Sequence, residues 1–377
     1  MITTVAAGLS LGIWLYLAFG RGGFWRVSKS LAKARQGPEL SKRVAAVIPA
    51  RNEAALIGRA IDSLLHQDYA GHLNVIVVDD ASTDGTADAA GRATVVRGRP
   101  LPAGWTGKVW ALSQGIEVAL TSQPDYLLLT DADIHHGPRN VAELVSVAEQ
   151  HRLDLVSYMV KLECSSFAEH ALIPAFVFFF LMLHPPAWIA SHTRRTAGAA
   201  GGCVLIRPSV LERIGGIAAI RDAIIDDCTL ARAVKRAGGS ISLALTEDSK
   251  SVRRYGTFSD IGHMISRTAF TQLDHSPVLV AGTLLGLLLV YVVPPVAVAF
   301  GKRPARLFGA IAWAVMSICF RPMTKFYGQN AAWSLALPAI AVFYAGATVH
   351  SALTYWRGTG GLWKDRIQDA RRVSRCI

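Results

Sequence analysis

Three uncharged runs, each long enough to cross a lipid bilayer, bracket the central body of this 377-residue chain. They cover residues 2–20, 278–300 and 331–353. A helix rises about 1.5 Å per residue and the hydrocarbon core is about 30 Å thick, so about 20 apolar residues make one crossing. The runs therefore predict an N-terminal transmembrane anchor at 1–20 and a C-terminal transmembrane region at 278–353.

The positive charge of the chain lies beside these runs. The formal net charge is +12, yet residues 44–277 hold 21 basic and 24 acidic residues. Residues 21–43, directly after the first run, hold seven Lys or Arg and one acid. Cations flank the cytoplasmic ends of membrane helices, whereas a nucleic-acid-binding face carries them on the folded body. We therefore expect a multi-pass protein of the inner (cytoplasmic) membrane, with its body facing the cytoplasm, a basic cytoplasmic tail at 354–377 and no nucleic-acid partner.

Two further apolar segments do not fit a simple count of crossings. Residues 307–320 would form a helix about 21 Å long, which is short for a crossing, and whether they cross is left open. Residues 171–190 carry no charge. Candidate catalytic acids lie on both sides of this segment in the sequence, and they must share one compartment. We therefore predict that residues 171–190 form an interfacial or re-entrant segment.

Between the membrane runs, short apolar segments alternate with helical patterns. Strands are predicted at 44–50, 73–78 and 126–130, an amphipathic helix at 53–66 and a further helix at 108–120. This alternation indicates an α/β fold with a mixed, largely parallel sheet. Acidic residues follow each of the later two strands, at the sheet edge where open parallel sheets bind their ligands.

The loop after the first strand differs from the common phosphate-binding loops. The chain has no Gly-x-Gly-x-x-Gly after that strand and no Gly-x-x-x-x-Gly-Lys-Ser/Thr anywhere. A dinucleotide-binding fold and a P-loop ATPase are therefore disfavoured. Asn52 of the loop suits the cap of the next helix, and Glu53 suits the positive end of its dipole.

Asp131 and Asp133 follow the third predicted strand and form an Asp-x-Asp pair. Two carboxylates two residues apart at a strand end can converge on one hard cation, such as Mg²⁺ or Mn²⁺, that also binds substrate phosphates. His135 and His136 are further candidate ligands. The alternative for so short a motif is a solvated turn.

Several motifs occur in a fixed order along the body. They lie at Val47–Glu53, Val77–Thr86, Leu129–Asp133, Gly201–Arg207, Ile214–Gly216 and Ile225–Leu230. Together they resemble the motifs of family-2 glycosyltransferases of GT-A (Rossmann-like) fold, over residues 43–275. Two more stretches, Gly104–Trp110 and Arg267–Leu273, resemble the hopene-associated, HpnB-type branch of that family.

The resemblance implies a nucleotide-sugar donor, in particular a UDP-sugar, and a divalent ion, Mg²⁺ or Mn²⁺. Asp131 and Asp133 would hold the ion, and Lys108 would lie near the diphosphate. The implied donor-binding residues are Pro49, Ala50, Arg51, Glu53, Asp79, Asp80, Lys108 and Asp131.

The resemblance also implies the catalytic residues. Asp227 matches the family's general base, and Asp226 stands where relatives carry Glu. Arg267 matches the arginine of the family's Gln-x-x-Arg-Trp motif and would neutralise the departing diphosphate. Thr268 stands in place of the Trp, which processive polysaccharide synthases use as an acceptor platform. This difference favours a single sugar transfer over polymerisation.

The expected function is that of a membrane-bound inverting glycosyltransferase. It would move a sugar from a nucleotide-sugar to a lipid acceptor, and the resemblance implies a role in hopanoid metabolism. A processive polysaccharide or glycolipid synthase remains an alternative. A membrane-anchored nucleotidyltransferase is less favoured because its glycine-rich, basic first loop is missing. A non-catalytic membrane scaffold or transporter would leave the acids unexplained.

Overall fold

The computed structural model describes residues 1–27, 41–360, 362–363 and 366–367. The chain divides into two compact units. Within the described residues, the helical unit comprises 1–27, 164–187 and 254–360, and the sheet unit is built mainly from 41–163 and 188–253. Most of the predicted basic tail at 354–377 lies outside the described residues.

The strands of the sheet unit form a mixed eight-stranded sheet in the order β3-β2-β1-β4-β7-β6-β8-β5. Strands β1 to β4 are parallel, whereas β7 is antiparallel to both β4 and β6. The strands are β1 Arg43–Ala50, β2 His72–Asp79, β3 Thr94–Arg97, β4 Tyr126–Leu129, β5 Ile134–His135, β6 Leu155–Lys161, β7 Val204–Ile206 and β8 Ile241–Ser251, with a separate short pair β9 Leu362–Trp363 and β10 Arg366–Ile367. The predicted mixed α/β sheet domain is confirmed.

The helices follow in chain order. They are α1 Ile2–Phe19, α2 Ala54–Leu65, α3 Thr86–Ala89, α4 Gly107–Leu120, α5 Asn140–Gln150, α6 Phe167–Leu183, α7 Pro186–Ala190, α8 Pro208–Arg213, α9 Asp226–Arg236, α10 Phe258–Ala269, α11 Pro277–Leu287, α12 Val293–Phe300, α13 Arg303–Phe326 and α14 Leu337–Trp356. Short 3₁₀ turns occur at Ile217–Ile220, Thr271–Leu273 and Ala331–Ala336, and one π-helical turn occurs at Leu288–Val292.

Hydrophobic patterning explains the core of the sheet unit. Seven consecutive residues of β1, from Val44 to Ala50, are buried, as expected for a central parallel strand covered on both faces. The amphipathic α2 turns Ile57, Ile61 and Leu64 into the same core. The predicted strands and helices of this region are confirmed, with ends shifted by one or two residues.

The helical unit is built from α1, α6 and α10 to α14. Among the described residues, five helical segments are long and apolar enough to cross a membrane: 2–19, 167–190, 277–300, 303–326 and 331–356. Residues 307–320, which seemed short for a crossing, belong to the 24-residue α13. The sequence understated this helix because Arg303, Arg306, Arg321 and Lys325 interrupt its apolar character near both ends.

Prolines within the helical unit leave backbone carbonyl groups without a helical N–H donor. Side chains from distant parts of the sequence donate hydrogen bonds to these carbonyls. Pro294 has no N–H to donate to the carbonyl oxygen of Val290, and that oxygen accepts the indole N–H of Trp14 at 2.8 Å. Pro174 likewise frees the carbonyl oxygen of His170, which accepts the side-chain amide of Gln329 at 2.6 Å. These hydrogen bonds tie α6, α12 and their neighbours together in an apolar setting, where an unpaired carbonyl is costly.

Candidate active site

The carboxyl ends of β1, β2 and β4 lie at one edge of the sheet because these strands are parallel. β7 runs in the opposite direction, and its first residue, Val204, pairs with Leu129, the last residue of β4. The turn before β7, at 200–203, therefore lies at the same edge. This is the edge at which the sequence predicts ligand binding.

A pocket opens at this edge, lined by residues from α4, β4, the 200–203 turn, the 3₁₀ turn at Ile217–Ile220 and α9. Its polar lining is Lys108, Thr130, Asp131, Gly201, Asp226 and Asp227. The structure thus brings together predicted site residues that are almost 120 positions apart in the sequence. They come from both the metal-binding and the catalytic halves of the predicted site.

The ammonium group of Lys108 lies between acids of these two halves. Its Nζ is 2.9 Å from Oδ1 of Asp131 and 3.2 Å from Oδ2 of Asp226. We call Lys108, Asp131, Asp226 and Asp227 the pocket cluster. Burial opposes the charge of Lys108, but the three carboxylates outweigh burial and hold the pKa of Lys108 well above its usual range. The ammonium therefore stays charged at physiological pH.

Asp227 lies in the first turn of α9, where the helix dipole favours an anion. Its Oδ2 accepts the N–H of Gly201 at 2.8 Å, and its Oδ1 accepts the N–H of Cys228 at 2.6 Å. Burial and the neighbouring Asp226 nevertheless raise the pKa of Asp227 to about 6, against the lowering effects of Lys108 and of the two N–H groups. A carboxylate with this pKa can accept a proton near neutral pH.

Gly201 allows the backbone to approach both charged groups. A Cβ atom at this position would lie 3.3 Å from Oδ2 of Asp227 and 3.3 Å from Nζ of Lys108. A side chain there would therefore press on the carboxylate that Gly201 itself binds. The sequence analysis identified the Gly201–Arg207 motif but could not predict this contact.

Arg253 joins two predicted site residues and was missed by the sequence reasoning. Its Nη2 lies 2.5 Å from Oε1 of Glu53, and its Nε lies 2.8 Å from Oδ2 of Asp133. We call these three residues the arginine cluster. The same Oδ2 also accepts the hydroxyl of Ser251 at 3.3 Å. Arg253 follows β8 and is 120 and 200 positions from its partners, so no local signal could have revealed it.

The predicted donor-binding residues at the ends of β1 and β2 form an interlocked pair of loops. Pro49 and Ala50 close β1, and the Ala50 carbonyl accepts the N–H of Asp80 at 2.8 Å. Arg51 donates from Nη1 to the carbonyl oxygen of Asp80 at 2.6 Å. The buried Asp79 pairs through Oδ2 with Arg97 at 3.1 Å. Their roles in donor binding stay predictions.

The cap of α2 differs from the prediction for Asn52. The Asn52 side chain accepts the N–H of Thr83 at 2.9 Å and does not cap the helix. Asp84, from the loop after β2, instead accepts the N–H of Ala54 at 3.0 Å. The prediction was wrong because the capping group comes from a different loop. Glu53, expected at the helix dipole, pairs with Arg253.

The acidic side of the pocket carries oxygen atoms of the type that bind hard divalent cations. Among the described residues, no three His, Cys, Asp or Glu side chains are grouped to hold a metal ion, so the protein would supply few ligands and a substrate would supply others. Three carboxylates share one ammonium in the pocket cluster, which leaves an excess of negative charge. The Asp131 side chain is 34% exposed and its oxygens are hard ligands of the required type.

Two candidate residues lie elsewhere. Arg267 lies on α10 in the helical unit and is exposed, so its predicted role at the diphosphate stays a prediction. His136 is buried and bonds to Thr130 and Asn140 through its two ring nitrogens. Burial lowers the pKa of His136 to about 3, with a smaller contribution from His135, so its ring is neutral at physiological pH.

Part of the chain is similar in sequence to known proteins. Residues 45–215 match the family model described as glycosyl transferase family 2. A segment of 99 residues is 35% identical to the uncharacterized protein MJ1222 of Methanocaldococcus jannaschii, covering 26% of this chain and 39% of that protein. The chain thus spans well under half the length of this relative.

Two solved structures are similar to this chain to different degrees. The mannosyltransferase PcManGT from Pyrobaculum calidifontis, solved in complex with GDP-Man and Mn²⁺, is 19% identical, with a TM-score of 0.53 over 93% of this chain and 98% of that chain. The glucosyl-3-phosphoglycerate synthase of Mycobacterium tuberculosis is 20% identical, with a TM-score of 0.44 over 66% of this chain and 87% of that chain. The chain is therefore similar over residues 45–215 to glycosyl transferase family 2, and it shares its overall fold with a solved mannosyltransferase.

Proposed function

We propose that this chain is an inverting, membrane-bound glycosyltransferase that moves one sugar from a nucleotide-sugar to a lipid acceptor. The observation that carries the proposal is the pocket cluster, in which acids from two distant motifs meet around one ammonium. The family-2 match over residues 45–215 and the fold shared with a mannosyltransferase support the same reaction class.

Asp227 is the general base of the proposed reaction. Its carboxylate takes the proton of an acceptor hydroxyl while that oxygen attacks the anomeric carbon from the face opposite the diphosphate. The bond between the anomeric carbon and the diphosphate oxygen breaks, and the nucleoside diphosphate leaves with the bonding electron pair. One displacement inverts the anomeric configuration, and no protein nucleophile is needed.

Lys108 and the acids around it organise the leaving group. Asp131, together with Asp133, would hold Mg²⁺ or Mn²⁺, and such an ion, when bound, acts as a Lewis acid on phosphate oxygens. Asp133 already binds Arg253 through Oδ2, so we assign the larger part of the metal binding to Asp131. Lys108 and Arg267 supply positive charge for the departing diphosphate.

The donor is a nucleotide-sugar held by the loops after β1 and β2, through the Pro49–Glu53 segment with Asp79 and Asp80. We propose a UDP-sugar from the family resemblance. The solved mannosyltransferase was crystallised with GDP-Man, which makes a guanosine donor the direct competitor. Transfer assays with a panel of UDP-sugars and GDP-sugars distinguish these two donor classes.

The acceptor is a lipid because the helical unit suits a membrane. In the two segments 2–19 and 277–300, 22% of the residues of each apolar window are buried, so most of their surface is open to lipid. In the segment 167–190 that share is 56%, which favours a re-entrant position among other helices over an exposed interfacial one. We place the protein in the inner membrane with the sheet unit in the cytoplasm, and a hopanoid acceptor stays a proposal from the resemblance.

The test uses the full chain, purified in detergent and returned to lipid vesicles. The protein is incubated with radiolabelled UDP- and GDP-sugars and a bacterial lipid extract, with and without chelator. Organic extraction should recover label from one donor class, together with stoichiometric nucleoside diphosphate, and chelator should reduce both. Release of diphosphate without label in lipid would overturn the lipid acceptor. No release from any donor would overturn the glycosyltransferase.

A further inference from the structure

A chain of buried hydrogen bonds runs from α5 to the 200–203 turn. Asn140 donates from Nδ2 to Nδ1 of His136 at 2.9 Å, and Nε2 of His136 lies 3.0 Å from the hydroxyl of Thr130. That hydroxyl donates to the carbonyl oxygen of Gly202 at 2.7 Å. Asn140, His136 and Thr130 are each at most 3% exposed.

The groups at the two ends of this series of hydrogen bonds determine which atom donates at each step. The Asn140 amide nitrogen can only donate, so Nδ1 of His136 accepts and Nε2 carries the proton. Nε2 then donates to Thr130, and the single hydroxyl proton of Thr130 is left for the Gly202 carbonyl. This pattern requires a neutral His136 ring, because Nδ1 accepts a hydrogen bond while Nε2 donates one.

The turn that receives this chain holds Asp227. Cys203 donates its N–H to the carbonyl oxygen of Ala200 at 3.2 Å, which closes the turn. Ser157 fixes its first residue by accepting the Ala200 N–H at 2.8 Å. The N–H of Gly201, within the turn, donates to Oδ2 of Asp227 at 2.8 Å.

We propose that Thr130 and His136 are positioning residues for the transfer reaction, acting through the 200–203 turn to orient the Asp227 carboxylate. This inference rests on the proposed function. Thr130 follows β4 and Ser157 lies on β6, the two strands that flank β7, so their hydrogen bonds restrain the turn from both sides. Without that restraint, Asp227 keeps its neighbours Asp226 and Lys108 but loses the fixed donor that favours its charged form.

The variant Thr130→Val tests the inference because it keeps the side-chain shape and removes the hydroxyl. We expect a fall of about tenfold in kcat, with KM for the donor little changed, since a misplaced catalytic group costs rate more than binding. The acid limb of the pH–rate profile should move to higher pH. Thr130→Ser, which keeps the hydroxyl, should restore at least half of the wild-type kcat and the wild-type acid limb.

Thr246→Val is the matched control. Thr246 is buried on β8 in the same unit, and its hydroxyl accepts the N–H of Asp248 at 3.2 Å, a hydrogen bond within β8. This variant should leave the acid limb in place. If Thr130→Val does not fold, Thr130→Cys supplies a weaker donor of similar size and should shift the limb in the same direction.

The possible outcomes separate the inference from the proposed function. If wild-type protein transfers sugar and Thr130→Val has the kcat and acid limb of Thr246→Val, the positioning role is wrong while the glycosyltransferase stands. If wild-type protein transfers no sugar from any donor, the proposed function fails first. A shifted acid limb that Thr130→Ser restores supports the inference.

Discussion

The sheet unit holds two clusters in which one cation is shared by acids from distant parts of the chain, and they differ in what surrounds the cation. In the pocket cluster, the flexible ammonium of Lys108 meets Asp131, Asp226 and Asp227 at the lining of an open pocket. In the arginine cluster, the planar guanidinium of Arg253 binds two acids through two separate nitrogens.

This difference indicates which of the acids can bind a cation or accept a proton from a substrate. Three carboxylates around one ammonium leave negative charge that a cation or a proton can compensate, and an ammonium on a long stem moves easily. The guanidinium of Arg253 is rigid. It connects Glu53, in the loop after β1, to Asp133, which directly precedes β5. We infer that the pocket cluster serves catalysis and that the arginine cluster mainly holds the loops.

The largest effect is expected from Asp227→Asn, which removes the proposed proton acceptor from the pocket cluster. General-base catalysis contributes about 10² to 10⁴ in rate, so kcat should fall by that factor while the dissociation constant for the donor changes little. Single-turnover assays and equilibrium donor binding measure the two quantities.

The control for this variant is Asp222→Asn, which removes a carboxylate from an exposed position shortly before α9. It should retain wild-type turnover. If Asp227→Asn keeps turnover within about threefold of wild type, a different group accepts the proton and the comparison of the two clusters loses its basis.

A smaller effect is expected from Lys108→Met. The proposed base, Asp227, accepts a proton only as a carboxylate, so wild-type activity should decline as the pH falls through about 6. An opposite charge at close range lowers the pKa of an acid by about 1 to 3 units, so removal of Lys108 should move the acid limb upward by a similar amount. Activity should therefore fall far more at pH 6 than at pH 8.5.

Lys250→Met is the control, because Lys250 is an exposed lysine on β8. Its pH–rate profile should match that of wild type. An unchanged acid limb in Lys108→Met would mean that the ammonium does not act on the base, and that its contacts with Asp131 and Asp226 serve only to hold the pocket together.

The sequence was sufficient to predict those parts of the sheet unit that depend on the local pattern of apolar and polar residues. The strands that end at Ala50, Asp79 and Leu129 were predicted from apolar runs, and parallel pairing then placed the following residues at one edge. The meeting of Asp131 with Asp227 in one pocket was expected from the family resemblance, and both line that pocket.

What could not be predicted depends on contacts between distant residues. Arg253 follows β8, which lies next to the edge strand β5, and it belongs to no recognisable motif. Whether Asp84 or Asn52 caps α2 depends on how the loops after β1 and β2 contact each other. The length of α13 was understated because charged residues near a helix end lower the apparent hydropathy without shortening the helix.

The smallest effect on turnover is expected from Arg253→Gln, which tests whether the arginine cluster is structural. Removing the guanidinium leaves Glu53 and Asp133 close together with no shared cation, which should cost about 1 to 3 kcal/mol of stability. Burial already raises the pKa of Asp133, against the lowering effect of Arg253. Without the arginine, Asp133 should bind a proton more readily in the folded state than in the unfolded state, so the stability of the variant should fall as the pH rises.

Thermal unfolding in detergent at pH 5 and pH 8 measures this dependence, and Arg92→Gln, from an exposed pair with Asp62, is the control that should unfold like wild type at both values. Arg253→Gln should unfold at a lower temperature, with the larger difference at pH 8, while kcat falls only a few-fold. A variant that unfolds like wild type at both pH values yet loses turnover as severely as Asp227→Asn would reverse the assignment. The guanidinium would then act on the substrate, and Asp133, which pairs with it, would lie beside the substrate as well.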